Sequence, residues 1–223
     1  MTDLLNFPGA AKPQPVVLTG QYGRVEKLDS ARHGASLWEA MSVAPAMWDY
    51  MPYGPFDTAD MLQAWLAERE TLDDPYVYAV VAPDGRAVGI AALMAIRPDT
   101  GVIEVGHIAY APALQRTPLG TEAQYLLARY AFETLGYRRY EWKCNARNAA
   151  SRRAAERYGF TFEGIFRQHM IVKGKNRDTA WFSIIDSEWP DRRVAFERWL
   201  APANFDADGR QKASLASFMA PRA

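Results

Sequence analysis

The segment QRTPLGTEA, residues 115–123, has the residue types of an anion-binding turn at the start of a helix. The first N–H groups of a helix have no partner within it, and together with the helix dipole they favour a negative charge. Pro118 has no N–H and removes one donor, although its fixed φ suits the first helical position. The segment therefore indicates either a stiffened phosphate cradle or an ordinary helix start.

Glu104 is an ionisable residue within the apolar segment VIEVGHIAY, residues 102–110. A charged group on an apolar strand is costly unless it is paired or used in chemistry. Strand alternation predicts that one face carries Glu104, Gly106, Ile108 and Tyr110, and the other Ile103, Val105, His107 and Ala109. The alternative is a glutamate at a strand end, exposed at the edge of the sheet.

The hydrophobic pattern predicts the elements that must position these residues. Residues 16–22 and 24–28 are β-rich, and Asp29 or Ser30 caps a helix to about Met41. A second helix starts at Asp57 or Thr58, with one buried face made of Met61, Leu62, Trp65 and Leu66. An antiparallel meander follows, with strands at residues 76–82, 87–96 and 102–110.

The second half alternates helices and strands. The QRTPLGTEA helix runs through Leu135 and leads by a right-handed crossover to a strand parallel to the last meander strand. The remaining predicted elements are strand 138–144, helix 151–158, a hairpin of strands 160–172 and 179–185 around KGKNRD, and helix 187–200. This order predicts an α+β fold, a mixed and mostly antiparallel central sheet with helices on both faces.

The chain of 223 residues is predicted to form one domain with extensions. We expect a flexible N-terminal segment at 1–15, a single domain at 16–200, and a polar tail at 201–223 that is mobile or docked on a partner subunit. The single cysteine, Cys144, excludes an internal disulfide and fits a reducing compartment. Without a signal peptide or a long apolar run, we expect a cytoplasmic protein that does not contact membranes.

Charge is unevenly distributed although the formal net charge is zero. Between Arg138 and Arg177 there are eleven basic residues against three acids. This distribution indicates either a solvated face or a basic lip for a polyanionic cofactor. The balanced total gives no reason to expect direct nucleic-acid binding. The three histidines have no metal-ligand spacing, and we expect no metal site.

Three stretches have the order and spacing of a known family: IEVGHIAYAPALQRTPLGTEA, NARNAASRRAAERYGFTFEGIFR and KGKNRDTAWFSI. Together they resemble the GNAT superfamily of acetyl-CoA-dependent N-acetyltransferases, most closely the RimJ/RimL branch of ribosomal-protein N-terminal acetyltransferases. The resemblance runs from Gly101 to Trp189 and implies the GNAT fold, acetyl-CoA as cofactor, and a homodimer, which is common in the family.

The resemblance also implies cofactor-binding residues. The loop amides hold the CoA pyrophosphate, with Pro118 in place of the family's first glycine, and the backbone of Ile108 and Tyr110 holds the pantetheine arm. The implied set is Ile108, Tyr110, Gln115, Arg116, Thr117, Leu119, Gly120, Thr121, Asn148 and Ser151. Side chains of Arg116, Thr117 and Thr121 replace the donor that Pro118 lacks.

Acetyl transfer to an amine requires a base, because an α-amino group or a lysine is mostly protonated at pH 7. Glu104 is the candidate base, in the position where many family members keep a catalytic glutamate. The usual tyrosine acid is replaced by Ala155, and Ser151 is the candidate donor to the thiolate, or else only a pantetheine contact. Asn148 is in either case a helix N-cap, and Cys144 is interpreted as a small core residue.

The acceptor site implied by the family lies in the loop between the first two helices, with the candidate residues Trp48, Tyr50, Tyr53, Phe56 and His107. Plain packing is the alternative for the aromatic residues, and a structural role is the alternative for His107. Asp49 and Asp57 nearby are expected to attract an ammonium group.

The predicted function is therefore direct acetyl transfer from acetyl-CoA to a primary amine, either a protein N-terminus or a small molecule. The alternative is a catalytically weak acyl-CoA-binding module with a role in sensing or assembly, which Pro118 and Ala155 favour. A structural protein that binds no CoA requires the three matched stretches to be a coincidence.

Overall fold

A computed structural model of the chain describes residue 4 and residues 7–219. One eight-stranded sheet forms its centre, in the order β1-β2-β3-β4-β5-β6-β8-β7. Only the β5–β6 pair is parallel, as the crossover predicts. The strands are β1 Val17–Thr19, β2 Arg24–Lys27, β3 Tyr76–Val81, β4 Ala87–Arg97, β5 Val102–Tyr110, β6 Arg139–Asn145, β7 Thr161–Val172 and β8 Lys175–Ile185.

Helices cover both faces of this sheet. They are α1 Ser30–Met41, α2 Ala59–Glu70, α3 Pro118–Arg129, α4 Ala149–Arg157, α5 Trp189–Leu200 and α6 Leu215–Met219. Side chains of Asp29, Thr58, Thr117 and Asn148 cap α1 to α4 by accepting a backbone N–H from the first turn. The α+β architecture with helices on both faces is confirmed. Within the described residues, no helix is long and apolar enough to cross a membrane.

Two cores form on opposite faces of the sheet. Residues of α1 and α2 such as Leu37 and Trp65 pack on the β3–β4 side with Ile90 and Ala109. Residues of α3 and α5 pack on the other face, where Ile103 and Val105 of β5 point. We call these the α1–α2 face and the α3–α5 face. Glu104, between Ile103 and Val105, therefore points to the α1–α2 face.

The strands β5 and β6 pair over one short ladder and then separate. The pairs are Val102 with Arg139, Ile103 with Tyr140 and Glu104 with Glu141. Beyond Glu104 no further β5–β6 pair is formed in the described chain, while β6 continues to pair with β8 up to Asn145. The gap therefore leaves backbone groups of both strands without a strand partner, and Glu104 lies at its closed end.

The alternation predicted for β5 is wrong beyond Gly106, because the strand contains a bulge. His107 has φ of 49°, and between the pairs Ala92–Gly106 and Ile90–Ala109 the strand β5 has one extra residue. The extra residue reverses the direction of the following side chains. Ile108 and Tyr110 consequently pack toward the α3–α5 face, and do not share a face with Glu104.

Other differences from the sequence prediction have local causes. Met61 is half exposed, so it does not belong to the buried face of α2. The helix after β5 does reach Leu135, but residues Tyr130–Thr134 form a π-helical turn before Gly136 ends it with φ of 80°. The last hairpin turns at Lys173 and Gly174, so β8 begins earlier than the KGKNRD loop suggests.

Both terminal segments contact the domain where they are described. The N–H of Ala11 donates to the carbonyl of Leu135, and that of Gln14 to the Tyr130 hydroxyl. Leu215 of α6 is fully buried against the core of the α3–α5 face. The tail predicted to be mobile or docked on a partner therefore packs on its own chain up to residue 219. Residues 1–3, 5–6 and 220–223 lie outside the described part, and the domain boundaries stay predictions.

Glu122, in α3, ties the β1–β2 turn to the start of this helix. Its carboxylate accepts the backbone N–H groups of Gln21 at 2.6 Å and Tyr22 at 2.8 Å. The side chain is buried, and burial raises the pKa of Glu122, against the lowering effect of these N–H donors. A short two-stranded turn is thereby held against the helix that opens the candidate anion site.

The substitution Glu122→Ala is expected to lower the free energy of unfolding by about 2 kcal/mol, because it leaves two turn N–H groups without their acceptor. The melting temperature should fall by roughly 4–8 °C in a thermal unfolding experiment. Glu39→Ala is the matched control, since Glu39 forms only an exposed pair with Arg86 and should change stability little. Equal effects of the two substitutions would contradict this role of Glu122.

Candidate functional site

A buried ion-pair group closes the gap between β5 and β6. The ammonium group of Lys143 lies 2.7 Å from Glu104 Oε2 and 2.7 Å from Glu141 Oε2. Lys143 also lies over the ring of Trp181, 4.1 Å from its centroid. Both carboxylates are at most 6% exposed. One lysine therefore holds two buried acids on adjacent strands at the last rung of the parallel ladder.

The two carboxylates differ in their net electrostatic environment. Burial raises the pKa of Glu104, and the charge and hydrogen bond of Lys143 oppose that rise without cancelling it. The pKa of Glu141 is lowered, because hydrogen bonds from Lys143 and Arg139 together outweigh its burial. Glu104 is thus the more basic of the two acids and the better proton acceptor.

Glu104 has one carboxylate oxygen available for chemistry. Oε2 accepts from Lys143, whereas Oε1 has no hydrogen-bond partner recorded in the described chain. A Cβ atom added to Gly106 would lie 3.4 Å from Oε1 and 2.4 Å from the sulfur of Met94. Glycine at position 106 therefore keeps the space beside the free oxygen open.

The start of α3 lies beside the far end of β5. Arg116 has φ of 61°, which turns the loop before Thr117 caps the helix. Among the described residues, no acceptor is recorded for the N–H groups of Arg116 and Thr117, and Leu119 lies in the first turn, where helical N–H groups lack intrahelical partners. The exposed Arg116 guanidinium forms no ion pair within the described chain. This loop can hold a phosphate group.

Several residues expected to contact the cofactor use their polar groups within the protein. The Thr117 hydroxyl accepts the N–H of Gly120 at 3.1 Å and donates to the Leu114 carbonyl at 2.7 Å. The Gly120 N–H is therefore not a free donor. The Gln115 amide donates to the Tyr110 carbonyl at 2.8 Å, which ties the loop to the end of β5.

Gly120 and Thr121 have roles in the close packing of this loop. A Cβ atom at Gly120 would come within 2.7 Å of the Leu114 carbonyl oxygen, so only glycine allows this approach. The Thr121 hydroxyl is buried and accepts from Arg157 at 3.1 Å. Arg157, at the end of α4, is a residue that sequence reasoning missed, because only the tertiary structure brings α4 to α3.

Asn148 and Ser151 begin α4 on the other side of the gap. Asn148 accepts the Ser151 N–H at 3.0 Å, which confirms its N-cap role. The Ser151 hydroxyl accepts the indole N–H of Trp142 at 3.0 Å. Burial raises the pKa of the Cys144 thiol, against a smaller lowering effect of the Ser151 hydroxyl. Trp142 and Cys144 belong to the α3–α5 core, so Ser151 and Glu104 approach the gap from opposite faces.

The aromatic residues predicted for the acceptor site form one cluster, but they are not equally accessible. Trp48 is buried and packs edge-to-face on Phe56 and Trp65, so it is a core residue and not a substrate contact. Phe56 is half-buried in the same cluster. Tyr50 is 40% exposed, and its hydroxyl donates to the Arg147 carbonyl at 3.3 Å.

His107 and Tyr53 form a stacked pair beside this cluster. Their rings are nearly parallel, and the Tyr53 hydroxyl lies 2.5 Å from His107 Nδ1. Burial and, to a lesser extent, the positive charge of Arg69 lower the pKa of His107 to about 4. His107 is therefore a neutral imidazole at pH 7, although its low pKa makes it a weak base.

The tip of the β7–β8 hairpin closes over the α1–α2 loop. Lys173 donates to the carbonyls of Trp48 and Gly54 at 3.0 and 2.6 Å. A cavity of about 530 Å³ lies between the loop, the end of β6 and the hairpin tip. Its lining residues are Asp49, Tyr50, Asn145, Arg147, Val172, Lys173, Lys175, Asn176 and Arg177. Most of these residues were missed, because no local pattern shows that the hairpin folds back onto the loop.

The comparisons with known proteins agree with this geometry. Residues 27–161, more than half of the chain, match the model of the acetyltransferase (GNAT) domain. A crystal structure of a GCN5-related N-acetyltransferase from Brucella melitensis is 47% identical, with a TM-score of 0.92, over 95% of this chain and 97% of that one.

Two more distant relatives are similar over smaller parts or at lower identity. YdaF of Bacillus subtilis (strain 168), named as a candidate ribosomal N-acetyltransferase, is 30% identical over 106 residues, 48% of this chain and 57% of that protein. The matched segment thus spans little more than half of YdaF. A structure of RimL, a ribosomal L7/L12 alpha-N-protein acetyltransferase in complex with coenzyme A, is 18% identical, with a TM-score of 0.62, over 77% of this chain and 99% of that chain.

The fold, the separated strands and the helix start with free N–H groups fit acetyl-CoA, and the matched domain covers the residues that form them. The chain belongs to the GNAT family and is an acetyl-CoA-dependent N-acetyltransferase.

Proposed function

We propose that the protein transfers acetyl from acetyl-CoA directly to a primary amine, with Glu104 as general base. Acetyl-CoA supplies an activated acetyl thioester when bound. The observation that carries the proposal is the position of Glu104 at the closed end of the β5–β6 gap, with a raised pKa and one free oxygen. An ammonium group entering from the α1–α2 face meets this oxygen and loses its proton to it, directly or through a water molecule.

The start of α3 is proposed to hold the pyrophosphate. Backbone N–H groups of Arg116, Thr117 and Leu119 would donate to it at the start of α3, and the Arg116 guanidinium would add a charge-assisted contact. Ile108 and Tyr110, on the unpaired side of β5, hold the pantetheine arm by their backbone, and Asn148 and Ser151 border it from α4. Gln115 and Thr121 support this site by the internal hydrogen bonds described above.

Ser151 is proposed to donate a proton to the departing thiolate. Its hydroxyl accepts from Trp142, which leaves its own hydrogen for a sulfur acceptor such as Cys144 or the cofactor. Ala155 has no exposed surface and no polar side chain, so position 155 cannot supply the acid. A thiolate with a pKa near that of cysteine, about 8.5, leaves without strong acid assistance. We therefore expect Ser151 to contribute less than Glu104.

The second candidate function is a weakly catalytic module that binds acyl-CoA. The ion pair of Glu104 with Lys143 favours it, because a salt bridge reduces the basicity of the carboxylate. The net rise in the pKa of Glu104 favours the enzyme instead. Tyr53 and His107 are proposed to line the acceptor path beside Tyr50. The homodimer and the cytoplasmic location stay predictions.

The substitution Glu104→Gln should lower kcat/KM by about 10²- to 10⁴-fold, because it removes the base and nearly preserves the shape. Thiol release with an amine acceptor measures this loss, and calorimetry should show unchanged acetyl-CoA affinity. The matched control is Glu141→Gln. It removes the other carboxylate bound by Lys143 but leaves the free oxygen of Glu104 in place, so kcat/KM should fall much less. Full activity of Glu104→Gln would assign the base to another residue, with His107 next in position.

Lys143 is expected to set the pH below which activity is lost. Catalysis requires ionised Glu104, so kcat/KM falls as the pH drops through the pKa of this residue, which lies above the usual carboxyl value. Lys143 lowers that pKa, so Lys143→Met should raise it and move the acid limb of the pH–kcat/KM profile to higher pH. Lys143→Arg retains the charge and should leave the limb nearer to its original place. An unmoved limb in Lys143→Met would show that Glu104 does not control it.

Arg116→Glu should weaken acetyl-CoA binding by at least about tenfold, because it replaces a charge-assisted phosphate contact by a repulsive charge. Calorimetric titration with CoA measures the effect. Arg210→Glu is the control, since Arg210 is 80% exposed and lies in the segment after α5. Equal affinities of the two variants would remove Arg116 from the proposed phosphate site.

A further inference from the structure

The residues that line the cavity at the hairpin tip carry a net positive charge. Four of its lining residues are basic, namely Arg147, Lys173, Lys175 and Arg177, and Asp49 is the only acidic one. Asp178, the nearest other acid on the hairpin, accepts the Gln168 N–H at 2.7 Å and the Asn176 amide at 3.0 Å. The carboxylate of Asp178 keeps its negative charge, but with Asp178 counted beside Asp49 the region still has four basic residues against two acidic ones.

The four basic residues come from separate parts of the chain. Arg147 follows β6, while Lys173, Lys175 and Arg177 lie at the turn of the β7–β8 hairpin. The two carbonyl contacts of Lys173 fix the turn against the α1–α2 loop but do not neutralise its charge. The cavity consequently combines a fixed wall with a positive potential, an arrangement that attracts a carboxylate.

The same face of the sheet connects this cavity to Glu104. On β6, Lys143 and Asn145 share the α1–α2 face, and Asn145 pairs with Thr179 of β8. Arg177 bends toward this rung, because its Nε donates to the Thr179 hydroxyl at 3.2 Å. The positive charge of Arg177 lowers the pKa of Glu104, so a cavity residue interacts electrostatically with the proposed base.

The distance between the rungs of the sheet sets the size of the acceptor. Two residues along a strand cover about 7 Å, the distance from the rung of Lys143 to the rung of Asn145 and Thr179. Lys143 reaches back to Glu104, and Arg177 hydrogen-bonds at the Thr179 rung, so a ligand with its amine at Glu104 approaches Arg177 with a group that lies several bonds away. A side-chain carboxylate on the second residue of a peptide, or the distal carboxylate of an amino dicarboxylic acid, has this reach.

We propose that the acceptor is a primary amine that carries a carboxylate several bonds from the nitrogen, and that Arg147, Lys175 and Arg177 bind this carboxylate. The inference rests on the proposed function and specifies its substrate class. It replaces the expectation from sequence that Asp49 and Asp57 attract an ammonium group, because basic residues outnumber Asp49 in the cavity and Asp57 is not among its lining residues.

The test is an acetylation assay with matched acceptors. Three tetrapeptides share an N-terminal alanine and differ at the second residue, which is Glu, Gln or Lys. The free amino acids glutamate and glutamine serve as the small-molecule acceptors in the same assay. Thiol release gives kcat/KM, and mass spectrometry confirms the acetylated amine. We expect the Glu peptide to exceed the Gln peptide by about tenfold, from several contacts worth roughly two- to fivefold each, with the Lys peptide lowest.

Charge reversal tests the assignment to named residues. The double variant Arg147→Glu, Lys175→Glu should remove the preference for Glu over Gln and raise the activity with the Lys peptide. The matched control is Lys12→Glu, Arg210→Glu, which changes the net charge equally away from the cavity and should retain the wild-type order. Added salt should reduce the wild-type preference. Circular dichroism checks that each variant is folded.

The outcomes separate this inference from the proposed function. Turnover with equal rates for the three peptides, or with the Lys peptide best, overturns the acidic acceptor and leaves acetyl transfer in place. Absence of turnover with every amine counts against the proposed function. In that case calorimetric binding of the three peptides to the protein with CoA still ranks them, and a missing preference for the Glu peptide overturns the inference. A preference for Glu over Gln among only the peptides, or among only the free amino acids, identifies which kind of acceptor supplies the carboxylate.

Discussion

The separation of β5 from β6 is the constraint on which the rest of the structure depends. Three residue pairs hold the strands together, and beyond Glu104 each strand continues with a different neighbour. Unpaired backbone groups are costly unless a ligand or water satisfies them. The gap is therefore the place where an extended ligand can pair with the sheet. The start of α3 and the start of α4 border this gap, which places phosphate donors and the Ser151 hydroxyl along one path.

Chemistry at the closed end of the gap depends on the opposition between burial and charge. Burial raises the pKa of Glu104, and Lys143 limits that rise. Without the lysine, the carboxyl group would be protonated more readily. Glu141 competes with Glu104 for the same lysine, because both carboxylates lie within hydrogen-bond distance of its ammonium group. The arrangement keeps a buried carboxylate ionised while it remains more basic than its neighbour.

In the proposed function, the cofactor and the acceptor bind on opposite faces of the sheet. The bulge at His107 turns Ile108 and Tyr110 toward the α3–α5 face, while Glu104 stays on the α1–α2 face. The acceptor side is completed by the β7–β8 hairpin, whose tip is fixed by Lys173 to the α1–α2 loop. The cofactor side uses elements close in sequence, whereas the acceptor side joins segments more than a hundred residues apart.

The sequence by itself determined the element order, the cap Asn148, two pairs of cap candidates that include Asp29 and Thr58, the α+β class and the position of the helix start proposed to bind phosphate. These features depend on local periodicity and on side chains that bond to backbone groups a few residues away. Only the tertiary structure decided which faces Glu104 and Ile108 occupy, because one extra residue in a bulge reverses strict alternation. It also decided that Lys143 pairs with Glu104, that Trp48 is core, and that the hairpin tip brings basic residues to the acceptor cavity. Such contacts join residues distant in the chain, and no local pattern encodes them.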